Sequence, residues 1–255
     1  MTGHLAVVSI GPGATTQITP AARVALKRAE VLVGYRTYLD LIASLAPATP
    51  REASGMHHEV ERAQRAIELT QAGKRVALVC GGDAGVYGMA GLVFQVLWAQ
   101  GQTVPVTVYP GITAANAAAA LLGAPLMSDY AVLSLSDHLV PLEVILQRLD
   151  AVARADLVIC LYNPRGRHRS KPFEAACSAL ARWRPPETPV GIVHAAYRRG
   201  QRTEIISLGE LAQAKVDMST LIFVGNSQTE ARDGRMVTRR GYEARYAMGA
   251  PNETA

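Results

Sequence analysis

Apolar positions along this chain fall into two alternating kinds of segment. Short unbroken apolar runs occur at Leu5–Ile10, Val31–Val33, Val76–Cys80 and Val104–Tyr109. Runs of this length, rich in β-branched residues, read as strands buried on both faces. Longer stretches separate them, at Ala21–Glu30, Val60–Ala72, Gly91–Gln100 and Ala114–Leu122. These read as helices. Thr19 and Pro20 suit the N-cap and first position of the first helix, and Gly73 and Gly101 suit the ends of the second and third. Pro105 cannot donate to a sheet ladder, so its strand is expected at an edge or to begin there. The β-α alternation predicts a mostly parallel sheet with helices on both faces.

Gly123-Ala124-Pro125 breaks the pattern and is expected to bound two domains, 1–124 and 125–242. The second half has strands expected at Ala131–Ser134, Leu157–Leu161, Val190–His194, Glu204–Ser207 and Leu221–Val224. Its helices are expected at Pro141–Val152 and Phe173–Arg182. The strands at 190–194 and 204–207 leave no room for a crossover helix, so they read as an antiparallel pair in a mixed sheet. Residues 243–255 read as a flexible tail. The expected fold is α/β: two α/β domains, each a central sheet flanked by helices, the first mostly parallel and the second mixed.

Hydrophobic residues make up 49% of the 255, enough for substantial cores. No apolar run reaches the ~18–20 residues that span a membrane. The chain enters a strand almost at once, without a secretory signal, so a cytoplasmic protein is expected. Cys80, Cys160 and Cys177 share no metal-ligand spacing and are expected as buried, reduced thiols; no metal is expected. The formal charge of +5 suits either a small polyanion or a nucleic acid, but aromatics are only 5%, few for stacking on single strands. Basic residues cluster at Arg165, Arg167, His168, Arg169 and Lys171, and again at Arg198, Arg199 and Arg202.

Three glycine corners follow apolar strands: Ser9-Ile10-Gly11-Pro12-Gly13, Cys80-Gly81-Gly82-Asp83-Ala84-Gly85-Val86-Tyr87-Gly88-Met89, and Tyr109-Pro110-Gly111-Ile112-Thr113-Ala114. The carboxyl ends of strands are where open α/β sheets bind ligands, and glycine lets a ligand approach the backbone. The first corner lacks the third glycine of a dinucleotide fingerprint, and no Gly-Lys-Ser/Thr makes it a phosphate loop. A cleft for an organic cofactor is expected. No nucleophile–base arrangement stands out. A group transfer from an activated reagent needs mostly binding and alignment from its protein.

In this order, the three corners resemble the tetrapyrrole methylase family, over roughly residues 5–240. Within it, Leu161-Tyr162-Asn163-Pro164-Arg165, Pro189–Val193 and Val224-Gly225-Asn226-Ser227 resemble the branch that methylates C17 of a precorrin with ring contraction. The resemblance implies S-adenosylmethionine as methyl donor, held in the cleft between two α/β domains and leaving as S-adenosylhomocysteine, and it implies a homodimer. It places the cofactor against Pro12, Gly81, Gly82, Asp83, Val86, Thr113, Ala114, Tyr162, Asn163 and Ala196. Ala84 departs from the proline usual there. A tetrapyrrole is a polycarboxylate, so Arg165, Arg167, Arg169, Lys171, Arg198 and Arg199 are its expected partners, because arginine pairs bidentately with carboxylates. Asp83, Tyr87, His168 and Arg167 are the candidates for acid–base work, with His138 a weaker one. No nucleic-acid or membrane partner is expected. Two alternatives stay open: methylation of another tetrapyrrole position or another target, and a non-enzymatic nucleotide-binding protein.

Overall fold

The computed structural model describes residues 3–166, 169–246 and 248. Its contacts divide the chain into two compact units. The first takes the residues up to Ala117 together with Ala196–Arg198; the second takes Ala118–Ala195 and the residues from Arg199 onward.

The first unit is built on five parallel strands. In chain order they are β1 (His4–Ser9), β2 (Val31–Tyr35), β3 (Arg51–Ser54), β4 (Arg75–Cys80) and β5 (Val106–Tyr109), and their order in the sheet is β3-β2-β4-β1-β5. The helices α1 (Pro20–Arg28), α2 (Arg36–Leu41), α3 (Glu59–Gln71) and α4 (Ala90–Ala99) punctuate them, and α5 (Ala114–Leu122) begins in this unit and ends in the second. Side-chain direction alternates along a strand, and here both faces are buried. Leu5 and Val7 of β1 join Leu78 of β4 and the α3 and α4 residues Ile67 and Val93 in one core. Ala6 and Val8 join Val79 and the α1 and α2 residues Leu26 and Leu39 in the core of the opposite face. Each fully buried Leu or Val stabilises the fold by about 1.5–3 kcal/mol relative to leaving it exposed.

Local signals act as expected. Thr19 Oγ1 accepts the N–H of Ala22 at 3.2 Å, and Pro20 is the first residue of α1. Gly73 and Gly101 follow α3 and α4 with φ of 88° and 61°, a left-handed stop favoured by glycine. The strand after Pro105 is the sheet's edge. Two elements go beyond the pattern. The strand β3 (Arg-Glu-Ala-Ser) carries no apolar run because it is the other edge, paired only with β2. The helix α2 is a six-residue element that buries only Leu39.

The second unit carries β6 (Gly123–Ala124), β7 (Tyr130–Ser134), β8 (Val158–Tyr162), β9 (Pro189–His194), β10 (Arg202–Ser207), β11 (Thr220–Val224), β12 (Thr229–Arg232) and β13 (Arg235–Thr238), with helices α6 (Leu142–Arg154) and α7 (Lys171–Leu180). Its main sheet is mixed, in the order β10-β9-β11-β8-β7. β7 and β8 are parallel, and the antiparallel pair β9 and β10 is the one expected. Ile145 and Leu149 of α6 and Phe173 and Leu180 of α7 pack on Ile159, Ile192 and Ile222. Gly123 and Ala124 do not stand between folded units as a plain linker: they pair with β13 as a short parallel strand. β12 and β13 form a hairpin through Asp233 and Gly234, both at positive φ (51° and 70°), the conformation a two-residue turn requires. A short 3₁₀ turn, Tyr242–Ala244, runs into the start of the expected tail, and residues 247 and 249–255 lie outside the described residues.

Candidate functional site

β4, β1 and β5 are neighbours and parallel, so the three glycine corners leave the sheet side by side at its carboxyl edge. They touch one another. Gly11 and Gly82 exchange both backbone hydrogen bonds, Gly82 N donating to Gly11 O at 2.7 Å and Gly11 N to Gly82 O at 3.1 Å. Both sit at left-handed φ, 69° and 64°, which glycine adopts without strain. The third corner closes on them. A Cβ at Gly111 would lie 2.6 Å from Gly82 O and 2.6 Å from Ser9 Cβ, so no side chain fits there.

Asp83 brackets this junction. Its Oδ1 accepts Gly85 N at 2.7 Å and its Oδ2 accepts Gly111 N at 2.8 Å. Buried Ser9 adds a third tie, its Oγ accepting Ala84 N at 2.8 Å. Both Asp83 oxygens thus hold backbone, which is the work of a shape-setting residue. Val86 and Tyr87 project from the same corner into solvent, Tyr87 with φ of 52°. Ala114 begins α5, and Thr113 just before it accepts Ala115 N on its Oγ1 at 3.4 Å. Behind the corner, burial pushes the Cys80 thiol up to about 11, so it stays protonated at neutral pH.

Pro12 is buried, and its carbonyl accepts Arg198 Nε. The Arg198 guanidinium lies 5.8 Å from the centroid of the Tyr38 ring. That ring lies against Gly81, where a Cβ would come within 2.6 Å of Tyr38 Cζ. Tyr38 and its contact with Arg198 were not legible beforehand: Tyr38 lies on the unforeseen helix α2, and nothing in the local pattern links residue 38 to residue 198. Ala196, in the same segment as Arg198, is half-buried.

In the second unit, Tyr162 ends β8 and Asn163 follows at φ 53°. Asn163 Nδ2 donates to Ser134 Oγ at 2.9 Å. Arg169 binds this loop from within: it donates to the carbonyls of Asn163 (2.9 Å) and Leu135, and its Nη1 is 3.6 Å from the Asp137 carboxylate. Arg165 lies over the Phe173 ring at 4.9 Å, with Glu174 at 3.9 Å. Lys171 is exposed, on the first turn of α7 and no longer in the loop where the pattern put it. Arg199 is exposed, and His138 lies exposed between β7 and α6. Arg167 and His168 lie outside the described residues.

The sequence reading passed over His194. It is 3% exposed at the end of β9, its Nδ1 2.9 Å from Thr220 Oγ1, which in turn donates to Asp217 at 2.9 Å. Burial, reinforced by the charge of Arg202, lowers its pKa. With Arg202, Glu204, Glu210 and Lys215 it lines a cavity of about 490 Å³ on the second unit. None of the expected site residues lines that cavity. Among the described residues no group of His, Cys, Asp and Glu could hold a metal ion. No helix among them is long and apolar enough to cross a membrane. All three cysteines are free, Cys80 and Cys160 buried and Cys177 half-buried.

Backbone corners meeting at the carboxyl edge of a parallel sheet define an α/β protein of the class whose ligands bind at strand ends. Comparison narrows this class. The family model for tetrapyrrole (corrin/porphyrin) methylases matches residues 4–212. The chain belongs to that family of methyltransferases. It is 47% identical to the probable cobalt-factor III C(17)-methyltransferase of Salmonella typhimurium strain LT2, over 93% of this chain and 99% of that protein. It is 43% identical to the cobalt-factor III methyltransferase of Priestia megaterium, over 97% of this chain but 47% of the relative, so it spans about half of that protein's length. It is 39% identical to the precorrin-3B C(17)-methyltransferase of a Sinorhizobium species, over 98% of this chain and 99% of that protein. Among solved structures, the methyltransferase CobJ superimposes with a TM-score of 0.85 at 33% identity, covering 93% of this chain and 100% of that one. The uroporphyrin-III C-methyltransferase of Thermus thermophilus, complexed with S-adenosylhomocysteine, gives 0.68 at 26% identity, covering 88% and 92%.

Proposed function

We propose that this chain transfers the methyl group of S-adenosylmethionine to C17 of precorrin-3B, with contraction of the ring to precorrin-4, in cobalamin biosynthesis. The junction of Gly11, Gly82 and Gly111 carries the reading. A Cβ at Gly111 is excluded by backbone, and Asp83 holds the second corner to the third. Beside the junction Gly82 keeps main chain open, its nearest neighbour to an added Cβ being Ala114 N at 3.6 Å, so the corner fits a ligand that approaches the backbone closely. Pro12, Gly81, Gly82, Asp83, Val86, Thr113 and Ala114 would hold it, with Tyr162, Asn163 and Ala196 as further contacts. The cofactor supplies a methyl group already activated by its sulfonium. The chain's own residues therefore need to bind, orient and exclude water. Asp83 sets the shape of the corner in this reading; Tyr87, exposed beside it, is the acid–base candidate in the described corner, with Arg167 and His168 as the further candidates from the sequence.

The acceptor is a polycarboxylate, and Arg165, Arg167, Arg169, Lys171 and Arg199 are its proposed partners. Arg165, Lys171 and Arg199 lead among the described residues, because the guanidinium of Arg169 and that of Arg198 already hold protein carbonyls. A cobalt-bearing acceptor is the second reading. It is favoured by the higher identity to the Salmonella relative, 47% against 39% for the Sinorhizobium one. We also assign the protein to the cytoplasm, in keeping with its free thiols, and expect a homodimer, since two-fold symmetry is the commonest closed assembly. Light scattering giving a monomer mass would contradict the dimer.

Incubating pure protein and S-adenosylmethionine with precorrin-3B and, separately, with cobalt-factor III tests the function. A product heavier by one methylene group from either is the expected result, and the acceptor that turns over decides between the readings. No product from either, with turnover of uroporphyrinogen III, would sink both.

A further inference from the structure

We propose that Arg198 is a positioning residue for methyl transfer, holding the first glycine corner in the shape that receives the cofactor. The proposal rests on the reading of that corner as the S-adenosylmethionine site. The observation behind it is a set of contacts that meet on one side chain. Arg198 Nε donates to Pro12 O at 2.5 Å. Proline has no N–H, so its carbonyl is the only backbone polar group by which this corner can be anchored at residue 12. The same guanidinium lies over Tyr38, and Tyr38 lies against Gly81, so one arginine braces the backbone of the first corner and the ring behind the second. The fit leaves no slack: a Cβ at Gly13 would come 3.0 Å from Arg198 Nε and 3.1 Å from Tyr197 O.

The backbone that delivers Arg198 is itself under strain. Ala195 and Tyr197 sit at φ of 45° and 56°, a region that favours glycine. Residues held this way persist where their surroundings over-determine them, and such residues gather at functional sites. Between them stands Ala196, a proposed cofactor contact. Arg198 is thus the fastener of a strained segment as well as of the corner. A planar guanidinium can donate in its plane and stack flat on a ring at once; an ammonium is a compact point charge with no plane to stack. Burial raises the pKa of Tyr38 despite the opposing charge of Arg198, so the ring stays a neutral phenol under the guanidinium at neutral pH.

The test measures binding of S-adenosylhomocysteine by calorimetry to wild type, Arg198→Ala, Arg198→Lys, Tyr38→Phe and Tyr38→Leu. Thermal midpoints without ligand are recorded alongside. Arg198→Ala should weaken binding about tenfold or more, with the Michaelis constant for S-adenosylmethionine raised and that for the tetrapyrrole little changed. Arg198→Lys should recover part of the loss; Tyr38→Phe, which keeps the ring but removes the hydroxyl that hydrogen-bonds Arg198, should lose little, and Tyr38→Leu should lose more. If Arg198→Ala does not fold, the Lys variant and the Tyr38 pair carry the same comparison. Binding by Arg198→Ala within about twofold of wild type overturns the proposal. So does a rise confined to the tetrapyrrole constant, which would make Arg198 a substrate contact. Failure of wild type itself to bind overturns the cofactor reading, and the proposal falls with it.

Discussion

The carboxylate of Asp83 accepts the backbone N–H of Gly111 at 2.8 Å, tying together two strand-end corners that lie 28 residues apart. The other oxygen of the same carboxylate holds Gly85. Hydrogen bonds to an ionised acceptor are worth about 1.5–3 kcal/mol each. Asp83→Ala should therefore loosen the junction and weaken S-adenosylhomocysteine binding by about tenfold or more, the equivalent of ~1.4 kcal/mol. Asp83→Asn, which keeps one acceptor oxygen, should lose less. Calorimetric titration ranks the two; wild-type affinity in a folded Asp83→Ala protein would contradict the bracket.

Two glycines give opposite expectations. A Cβ at Gly111 would meet the backbone at Gly82 and the side chain of Ser9, both at 2.6 Å, whereas one at Gly91 meets nothing within 4 Å. Gly111→Ala should destabilise the protein by about 1–3 kcal/mol, the usual cost of overpacking, and abolish cofactor binding. Gly91→Ala, in α4, should stabilise it by up to ~1 kcal/mol through helix propensity. Urea titrations of the pair check the signs, and equal midpoints would show that the corner yields more easily than its backbone neighbours suggest.

Arg184 is a structural arginine. Its buried side chain pairs with Asp156 at 2.9 Å and donates to the carbonyls of Ala153 (2.7 Å), Leu157 (2.9 Å) and Gly225 (3.3 Å). Removing one partner of a buried pair costs about 3–5 kcal/mol, and the partial exposure of Asp156 puts this case at the low end. Arg184→Ala should lower the unfolding midpoint sharply, while an exposed arginine such as Arg232 should be silent on replacement.

His194 gives the stability a pH dependence. Burial and the neighbouring Arg202 lower its folded pKa below the ordinary 6.5, so the native state favours the neutral ring. The unfolded chain then binds more protons between the two values, and stability rises with pH through that interval. The contribution is complete above about pH 6.5 and is lost as pH falls through the lower, folded value. His194→Asn, able to donate to Thr220, should flatten the midpoint-versus-pH curve in that interval. An unchanged slope would assign the pH dependence to other groups.

Arg165 should serve the acceptor. It lies over Phe173, and its Nε is buried without a hydrogen-bond partner. Replacing Arg165 and Arg167 by Gln should raise the Michaelis constant for the tetrapyrrole about tenfold or more and leave that for S-adenosylmethionine nearly unchanged. Added salt should weaken the wild type more than the double variant, because exposed charge attraction is screened. Wild-type constants in the variant would reduce the loop to a solvated charge run.

The chain's apolar runs were sufficient to place the core strands and most helices, because a strand buried on both faces must be apolar throughout and α1, α3 and α4 carry local start or stop signals. Thr19, Gly73 and Gly101 acted through φ and a single hydrogen bond, which are local quantities. The edge strand β3 escaped that logic, since a strand paired on one side needs no apolar run. The Asp233-Gly234 turn was legible in principle from its dipeptide. The three corners were visible as glycine-rich strand ends, but their meeting was not. It depends on β4, β1 and β5 being neighbours, an order set by packing both faces of the sheet, and only that order brings Gly111 against Gly82. The arginines show the same division. Sequence marks them as cationic and clustered; tertiary structure decides that Arg198 and Arg169 turn inward to protein carbonyls, because a backbone acceptor at a strand end and a donor far along the chain come within reach only once the sheets have formed.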